Sequence, residues 1–329
     1  MYQPESYAIT LAFMVLSMFC WGSWANTVKL CPGYRFQLFY WDYVIGLIVA
    51  AAAWGLTLGS LGSSGTPFLH DLANTSNHAM LLAVAGGAVF NVANLLLVAA
   101  IEIAGLAVAF PVGIGLALVV GAVSSYILAP KGNPFLLFGG IALVVAAIIF
   151  DALAYRQREV GQLRSTRRGL FISLLSGLLM GSFYPMVSGA MSGKDATGPY
   201  SAAFFFAVGV AICAIPVNYL FMRFPLDGGY PVALRGYQRA PMSWHLAGVL
   251  GGAIWCTGAL SNFLASRANI VGPAVSYSIG QGATMISAAW GVFIWHEFAA
   301  APAKARIFLI LMFLLFLCGL GTIAIVPLF

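Results

Sequence analysis

Charge is what this chain has least of. It carries 15 basic and 9 acidic side chains in 329 residues, 7% of the total, where an ordinary soluble domain has about 25%. So few charges cannot clothe a water-soluble globule of this length, and the surface is therefore expected to face lipid. The net charge of +6 does not mark a nucleic-acid binder, because the basic residues form no patch with interleaved aromatics. Cysteine is equally uninformative: Cys20, Cys31, Cys213, Cys256 and Cys318 are odd in number and scattered, which excludes a disulfide framework and a Cys/His metal site. Phosphate-cradling Gly-x-x-x-x-Gly-Lys-Ser/Thr, His-Glu-x-x-His and Gly-x-Ser-x-Gly motifs are lacking, as are clustered carboxylates, so no enzyme chemistry and no cofactor or metal are expected. No basic residue precedes the first apolar run, and a small-residue cleavage site is missing. Residues 7–29 are expected to stay as a spanning helix.

What the chain has is apolar length: 61% of its residues are hydrophobic. A hydrocarbon core of about 30 Å needs about 20 mostly apolar helical residues. Ten such runs are expected, at 7–29, 38–60, 79–102, 105–128, 135–154, 169–191, 200–223, 244–267, 273–296 and 305–327, with polar links at 61–78, 155–168 and 224–243. The predicted fold is an all-α integral membrane protein with ten transmembrane helices.

The chain also repeats itself. Gly86-Gly87-Ala88-Val89-Phe90 in the third run resembles Gly251-Gly252-Ala253-Ile254-Trp255 in the eighth. Gly105, Ala107, Val108, Gly113 and Gly115 match Gly272, Ala274, Val275, Gly280 and Gly282 at one constant offset. Gly22-Ser23-Trp24 and Gly181-Ser182-Phe183 relate the first run to the sixth. Three matches in the same order argue for two five-helix repeats, 1–154 and 169–329, joined by a short basic link at 155–168. An odd number of spans per half makes the repeats inverted.

Of the 15 basic residues, 12 fall in the links after runs 1, 3, 5, 7 and 9, counting Lys29; the other side has Lys131, Lys194 and Arg267. By the positive-inside rule the link with Arg156, Arg158, Arg164, Arg167 and Arg168 is cytoplasmic, which places both termini on the non-cytoplasmic side of a cell (inner or plasma) membrane.

Polar residues expected at mid-membrane carry the functional reading, because an unanswered polar group in hydrocarbon costs several kcal/mol. Ser17, Trp21 and Trp24 share a face of run 1, as a substrate wall or a packing stripe. Asn91 and Asn94 share a face of run 3, to meet a solute or to tie helices together. Pro111 interrupts run 4. Tyr277, Gln281 and Thr284, at i, i+4 and i+7, present a phenol, an amide and a hydroxyl along one stripe of run 9. Tyr184 on run 6 and Trp255, Thr257 and Ser261 on run 8 complete the candidate cavity, in which rings and amides suit a flat polar solute. Asp42, Glu102, Asp151 and Glu297 lie near the cytoplasmic ends of runs. Glu102 and then Asp42 are the first candidates for proton coupling, with simple pairing to Lys29 or an Arg as the alternative. His70, His78, His245 and His296 read as solvated side chains at span ends.

The order of Trp41-Asp42-Tyr43, Leu58-Gly59-Ser60-Leu61-Gly62-Ser63-Ser64, Ala85-Gly86-Gly87 with Asn91 and Asn94, the stretch from Trp244 to Gly252, and Trp290-Gly291-Val292-Phe293 leading to His296-Glu297 resembles the drug/metabolite transporter superfamily. Within it the chain is most similar to the ureide permeases, with bacterial glucose and rhamnose uptake permeases as more distant relatives. The resemblance implies the drug/metabolite transporter fold and uptake of allantoin-like ureides, uracil or related heterocycles by proton symport. It also implies that Asp42, Asn91, Asn94 and Glu297 are site residues. The short link at 155–168 departs from the long central loop of the plant relatives, and Phe110-Pro111-Val112-Gly113-Ile114-Gly115 is closer to the sugar-uptake relatives. Sugar uptake and metabolite or drug export remain the alternatives. The partners expected are the lipid bilayer and a small polar solute, with no nucleic acid and no obligate protein partner.

The orientation has a direct test. A membrane-impermeant reagent applied to intact cells should label a tag at the C-terminus; labelling only after permeabilisation would reverse the topology.

Overall fold

The computed structural model describes residues 1–158, 167–226, 229–268 and 270–329, and Arg164 of the basic link lies outside them. All regular structure among the described residues is helical. The elements are α1 (Tyr7–Ser23), continued by a 3-10 stretch Trp24–Leu30, α2 (Phe36–Leu56), α3 (Phe68–Asn74), α4 (Asn77–Ala104), α5 (Leu106–Leu128), α6 (Pro134–Arg158) and α7 (Arg167–Ala190). They continue with α8 (Pro199–Arg223), α9 (Arg235–Gln238), α10 (Met242–Arg267), α11 (Pro273–Gly280), α12 (Ala283–Ala289), a single π-helical turn Trp290–Ile294 and α13 (Ala303–Ile325). Nine of the described helices are long and apolar enough to cross a bilayer. The chain is a multi-pass membrane protein.

Local chemistry explains most boundaries. Ser6 and Ser76 start α1 and α4 by accepting from the backbone N–H groups of Ile9 and Ala79, which satisfies orphan donors of a first turn. The whole link between α4 and α5 is Gly105, at φ +78°, a backbone conformation that side chains resist. Pro111, Pro185 and Pro216 sit inside α5, α7 and α8, where each deletes one backbone hydrogen bond.

The ninth apolar run is where the structure departs from the sequence expectation. Instead of one helix over 273–296, it holds α11, a break at Gln281–Gly282, α12 and the π turn. The α1 helix packs against both pieces. A Cβ on Gly280 would come within 2.8 Å of Trp21 Cζ3, and one on Gly282 within 2.5 Å of Met18 Sδ, so only glycine lets α1 cross here. Continuous hydropathy hid the break. The link at 155–168 is shorter than expected, since α6 runs to Arg158 and α7 opens at Arg167.

Packing rests on small residues. The α2 helix lies against α10 and α8, α4 against α7 and α8, α5 against α7, and α6 against α13. At the α2–α10 crossing a Cβ on Gly46 would lie 2.0 Å from the Val249 carbonyl oxygen, and one on Gly252 would lie 1.9 Å from that of Tyr43. The α4–α8 crossing repeats the device: Gly87 faces the Phe206 carbonyl and Gly209 that of Val84, each 2.1 Å from where a Cβ would be. Lipid gives helices no hydrophobic reason to associate, so this backbone approach supplies the van der Waals contact that holds them. Two larger cores result, one around α2, α4, α7, α8 and α10 and one around α6 and α13.

Gly252→Ala places its methyl group against backbone, which cannot rotate away. Purified in detergent, this variant should lose about 1–3 kcal/mol of stability in thermal unfolding, while Gly139→Ala, with nothing near its added Cβ, should melt like the parent.

Candidate functional site

The centre of the bundle is aromatic. Trp255 of α10 contacts Phe90 of α4 at a ring-centroid distance of 4.2 Å, Phe206 of α8 at 5.6 Å and Trp21 of α1 at 5.8 Å. Phe183 lies 5.3 Å from Phe90, and Tyr184 of α7 stacks obliquely on Tyr277 of α11 at 4.6 Å. The expected site residues Trp21, Tyr184, Trp255 and Tyr277 are thus brought into one cluster. These rings touch one another. Trp21 slots between Gly258 and Gly280, whose added Cβ atoms would each lie 2.8 Å from its ring.

Two kinds of polar network border these rings. The first is closed. Asn262 Oδ1 accepts from the Tyr184 hydroxyl at 2.5 Å and from Ser276 Oγ at 3.0 Å, while its Nδ2 donates to the Ser276 carbonyl at 2.9 Å and to Ser17 Oγ at 3.2 Å. One fully buried amide thereby pins α1, α7, α10 and α11 at the broken run, and Tyr277 donates to the Ala117 carbonyl of α5. These groups hold the fold.

The second is open. Where α2, α4 and α8 meet, Tyr40 donates to Asn91 Oδ1 at 3.0 Å, and Asn218 Nδ2 donates to the Gln37 carbonyl at 2.8 Å. Gln37 Oε1 and Asn218 Oδ1 are buried without a hydrogen-bond partner among the described residues, and Asn91 Nδ2 and Asn94 Nδ2 make no bond of good geometry there, although the Cys213 thiol offers a weak acceptor to Asn91 and the Tyr40 hydroxyl one to Asn94. Leaving a buried donor or acceptor unmet costs about 1–3 kcal/mol. Two amide donors and two carbonyl acceptors along one seam are a complement to a solute with both.

Charge is handled near one end of the bundle. Asp42, 2% exposed, accepts from the Tyr237 hydroxyl of α9 at 2.7 Å and pairs with His245 Nδ1 of α10 at 2.8 Å. Burial first, then the hydrogen bond to Asp42 and its charge, push the Tyr237 hydroxyl up to about 12, so it stays a donor. Burial, and secondarily Asp42, raise the Cys31 thiol as well. Glu297 Oε1 pairs with Lys29 Nζ at 2.5 Å, and Tyr155 donates to Oε2 at 3.3 Å. Asp151 is buried with Oδ1 unmet, whereas Glu102 is exposed at the last turn of α4.

The other expected site residues part company with the cluster. Trp24 belongs to the 3-10 stretch after α1 and packs on Tyr43 at 5.0 Å, not in line with Trp21. Thr257 accepts from the Trp54 indole at 2.9 Å and donates to the Ala253 carbonyl. Gln281 sits in the break and Thr284 in α12, so no single helical stripe joins them to Tyr277. Pro111 is half-buried within α5. His245 lies against Asp42, where a solvated side chain was expected, and of the four acids for which pairing with Lys29 or an Arg was the alternative, Glu297 pairs with Lys29. Gln37, Tyr40, Asn218 and Asn262 were not singled out from sequence. Their signal was present for three of them: they are polar residues within apolar runs.

This is the arrangement of a membrane transporter of small metabolites, with packed apolar helices, paired charges at an end and buried polar groups left unmet inside. The chain belongs to the sugar transport protein family, whose model matches residues 45–326. It is also similar to ureide permease 1 and ureide permease 2 of Arabidopsis thaliana, 23% identical to each with 98% of both chains covered. One solved crystal structure shares the fold, with a TM-score of 0.65 at 15% identity over 96% of each chain.

Asn262 gives the structural prediction. Asn262→Leu strands the Tyr184 hydroxyl in the core, while Ser276 Oγ keeps the backbone carbonyl of residue 262 as acceptor, and should cost about 1–3 kcal/mol in thermal unfolding; an unchanged melting temperature would show that the amide pins nothing.

Proposed function

We propose that the chain is a secondary transporter that imports a small polar metabolite, a ureide such as allantoin or a nucleobase first and a sugar second, by alternating access with proton symport. The observation that carries the reading is the seam of unmet amides at Gln37, Asn91, Asn94 and Asn218. An N–H and C=O bearing heterocycle answers two donors and two acceptors in a plane, and the neighbouring Trp21, Phe90 and Trp255 rings offer a stacking face. Sugar hydroxyls both donate and accept, and the family description favours that second substrate class.

The proposed chassis is ten spans in two inverted five-helix halves, 1–154 and 169–329. Reciprocal packing supports it: the third span of one half meets the second span of the other at both Gly87–Gly209 and Gly252–Gly46. Rocking the halves would open the seam alternately to each side. Membrane and sidedness follow the charge rule, with the Arg-rich link cytoplasmic. The polar pocket of about 440 Å³ lined by Gln3, Glu5, Ser64 and Arg267 then lies on the outer side.

For coupling we favour Asp42. It lies two residues after Tyr40 on α2, on the face turned to α10 and not to α4, and is faced by Tyr237 of α9, His245 of α10 and Cys31 and Tyr34 of the segment before α2. Protonating Asp42 would release its hold on His245 and free α2 to move against α10. Glu297, tied to Lys29, would act as a clasp at the same end, and exposed Glu102 has the weaker claim.

Proteoliposomes loaded with and without an inward proton gradient should accumulate allantoin or uracil, or failing these glucose or rhamnose; accumulation of none overturns the substrate reading. Asn91→Leu and Asn94→Leu should each raise KM by about tenfold. Asp42→Asn should abolish gradient-driven accumulation but retain exchange; unchanged gradient dependence would remove Asp42 from coupling.

A further inference from the structure

Away from the bundle centre a second cavity of about 340 Å³ opens on the lipid side, between the π turn and α13. Its walls are Val292, Phe293, Phe298, Leu309 and Phe313, and its mouth carries His296 and Arg306. Leu309 and Phe298 are buried at its floor, while Phe293 is exposed at its edge. Among the described residues no acidic side chain is in the lining; the nearest of them in sequence, Glu297, is already paired with Lys29. Arg306 spends one guanidinium nitrogen on the Ala299 carbonyl at 3.3 Å, which aims the group across the mouth, and Lys304 adds a second cation two residues earlier, over the Phe308 ring.

An apolar slot with a cationic rim at a helix start has the chemistry of a phospholipid site. Acyl chain fills the slot, and a headgroup phosphate meets the guanidinium. A free anion would find no use for the rings, and a neutral lipid none for the net positive rim. We propose that this groove binds one anionic phospholipid, with its phosphate on Arg306 and His296 and a chain along Phe293, Leu309 and Phe313.

The location gives the site a consequence. Val292 and Phe293 belong to the π turn, a geometry that often marks functional positions, and His296 follows at φ +50°, a conformation that costs a non-glycine residue free energy. This corner delivers Glu297 to Lys29. A lipid wedged against it braces the segment that closes that end of the bundle.

The experiment uses the full-length protein in detergent, titrated with short-chain phosphatidylglycerol or phosphatidylcholine and read by native mass spectrometry. Phosphatidylglycerol should bind with 1:1 stoichiometry at higher affinity. Arg306→Gln should weaken it about fivefold, the worth of one cation near a lipid surface. Ala299→Trp, which blocks the mouth from an exposed position, should do the same should Arg306→Gln not fold. A photoactivatable phosphatidylglycerol should label peptides containing Phe293 or Phe313. Equal binding of the two lipids, undiminished binding in both variants, or labelling elsewhere would overturn the site. Full competition by inorganic phosphate would overturn it too, in favour of a free anion. Each readout is independent of transport, so failure here leaves the substrate reading standing.

Discussion

Inside a bilayer each buried polar group has to be answered from within the protein, because no water is at hand to do it. The rest of the structure is ordered by that constraint. Where the answer is complete, as at Asn262 with its four partners from Ser17, Tyr184 and Ser276, the polar group is a pin between helices. Where it is incomplete, as at Gln37, Asn91, Asn94 and Asn218, the bundle has kept a cost, which on the proposed reading a transported solute would cancel. The distinction lies in the partner list, since both kinds of amide are equally buried.

Close backbone approach makes the arrangement feasible. Glycines at the α2–α10 and α4–α8 crossings bring main chains together on either side of the seam, which on the proposed reading would let the amides of α2, α4 and α8 meet one solute. The same two crossings are interfaces between the proposed halves. Movement of one half on the other would therefore alter the seam directly. The charged residues stand at an end of this assembly, where Asp42 with His245 and Glu297 with Lys29 hold elements together through contacts that protons can undo.

Much of this was legible beforehand. Apolar runs located the nine long helices to within a few residues; Asn91 and Asn94 stood out because polarity at depth is rare, and Asp42 because few acids lie near the spans. The glycine pairs Gly86-Gly87 and Gly251-Gly252, read in the sequence as marks of a repeat, include Gly87 and Gly252, which sit at the close crossings. Tertiary choice was not legible. Nothing local to His245 says that Asp42, about two hundred positions away, will be its partner, and Thr257 looks like a ligand group until Trp54 claims it. The break at Gln281–Gly282 is invisible to hydropathy because apolar residues continue on both sides, and α1 crosses close beside it. It also undid the Tyr277, Gln281 and Thr284 stripe, which rested on an unbroken helix.

The most direct measurement of the central claim is a structure of the protein with allantoin bound. The account predicts the solute in the α2–α4–α8 seam, with hydrogen bonds from Asn91 and Asn94 and its ring near the Trp21 and Trp255 cluster. Allantoin lodged elsewhere, with those amides still unmet or merely hydrated, would contradict it.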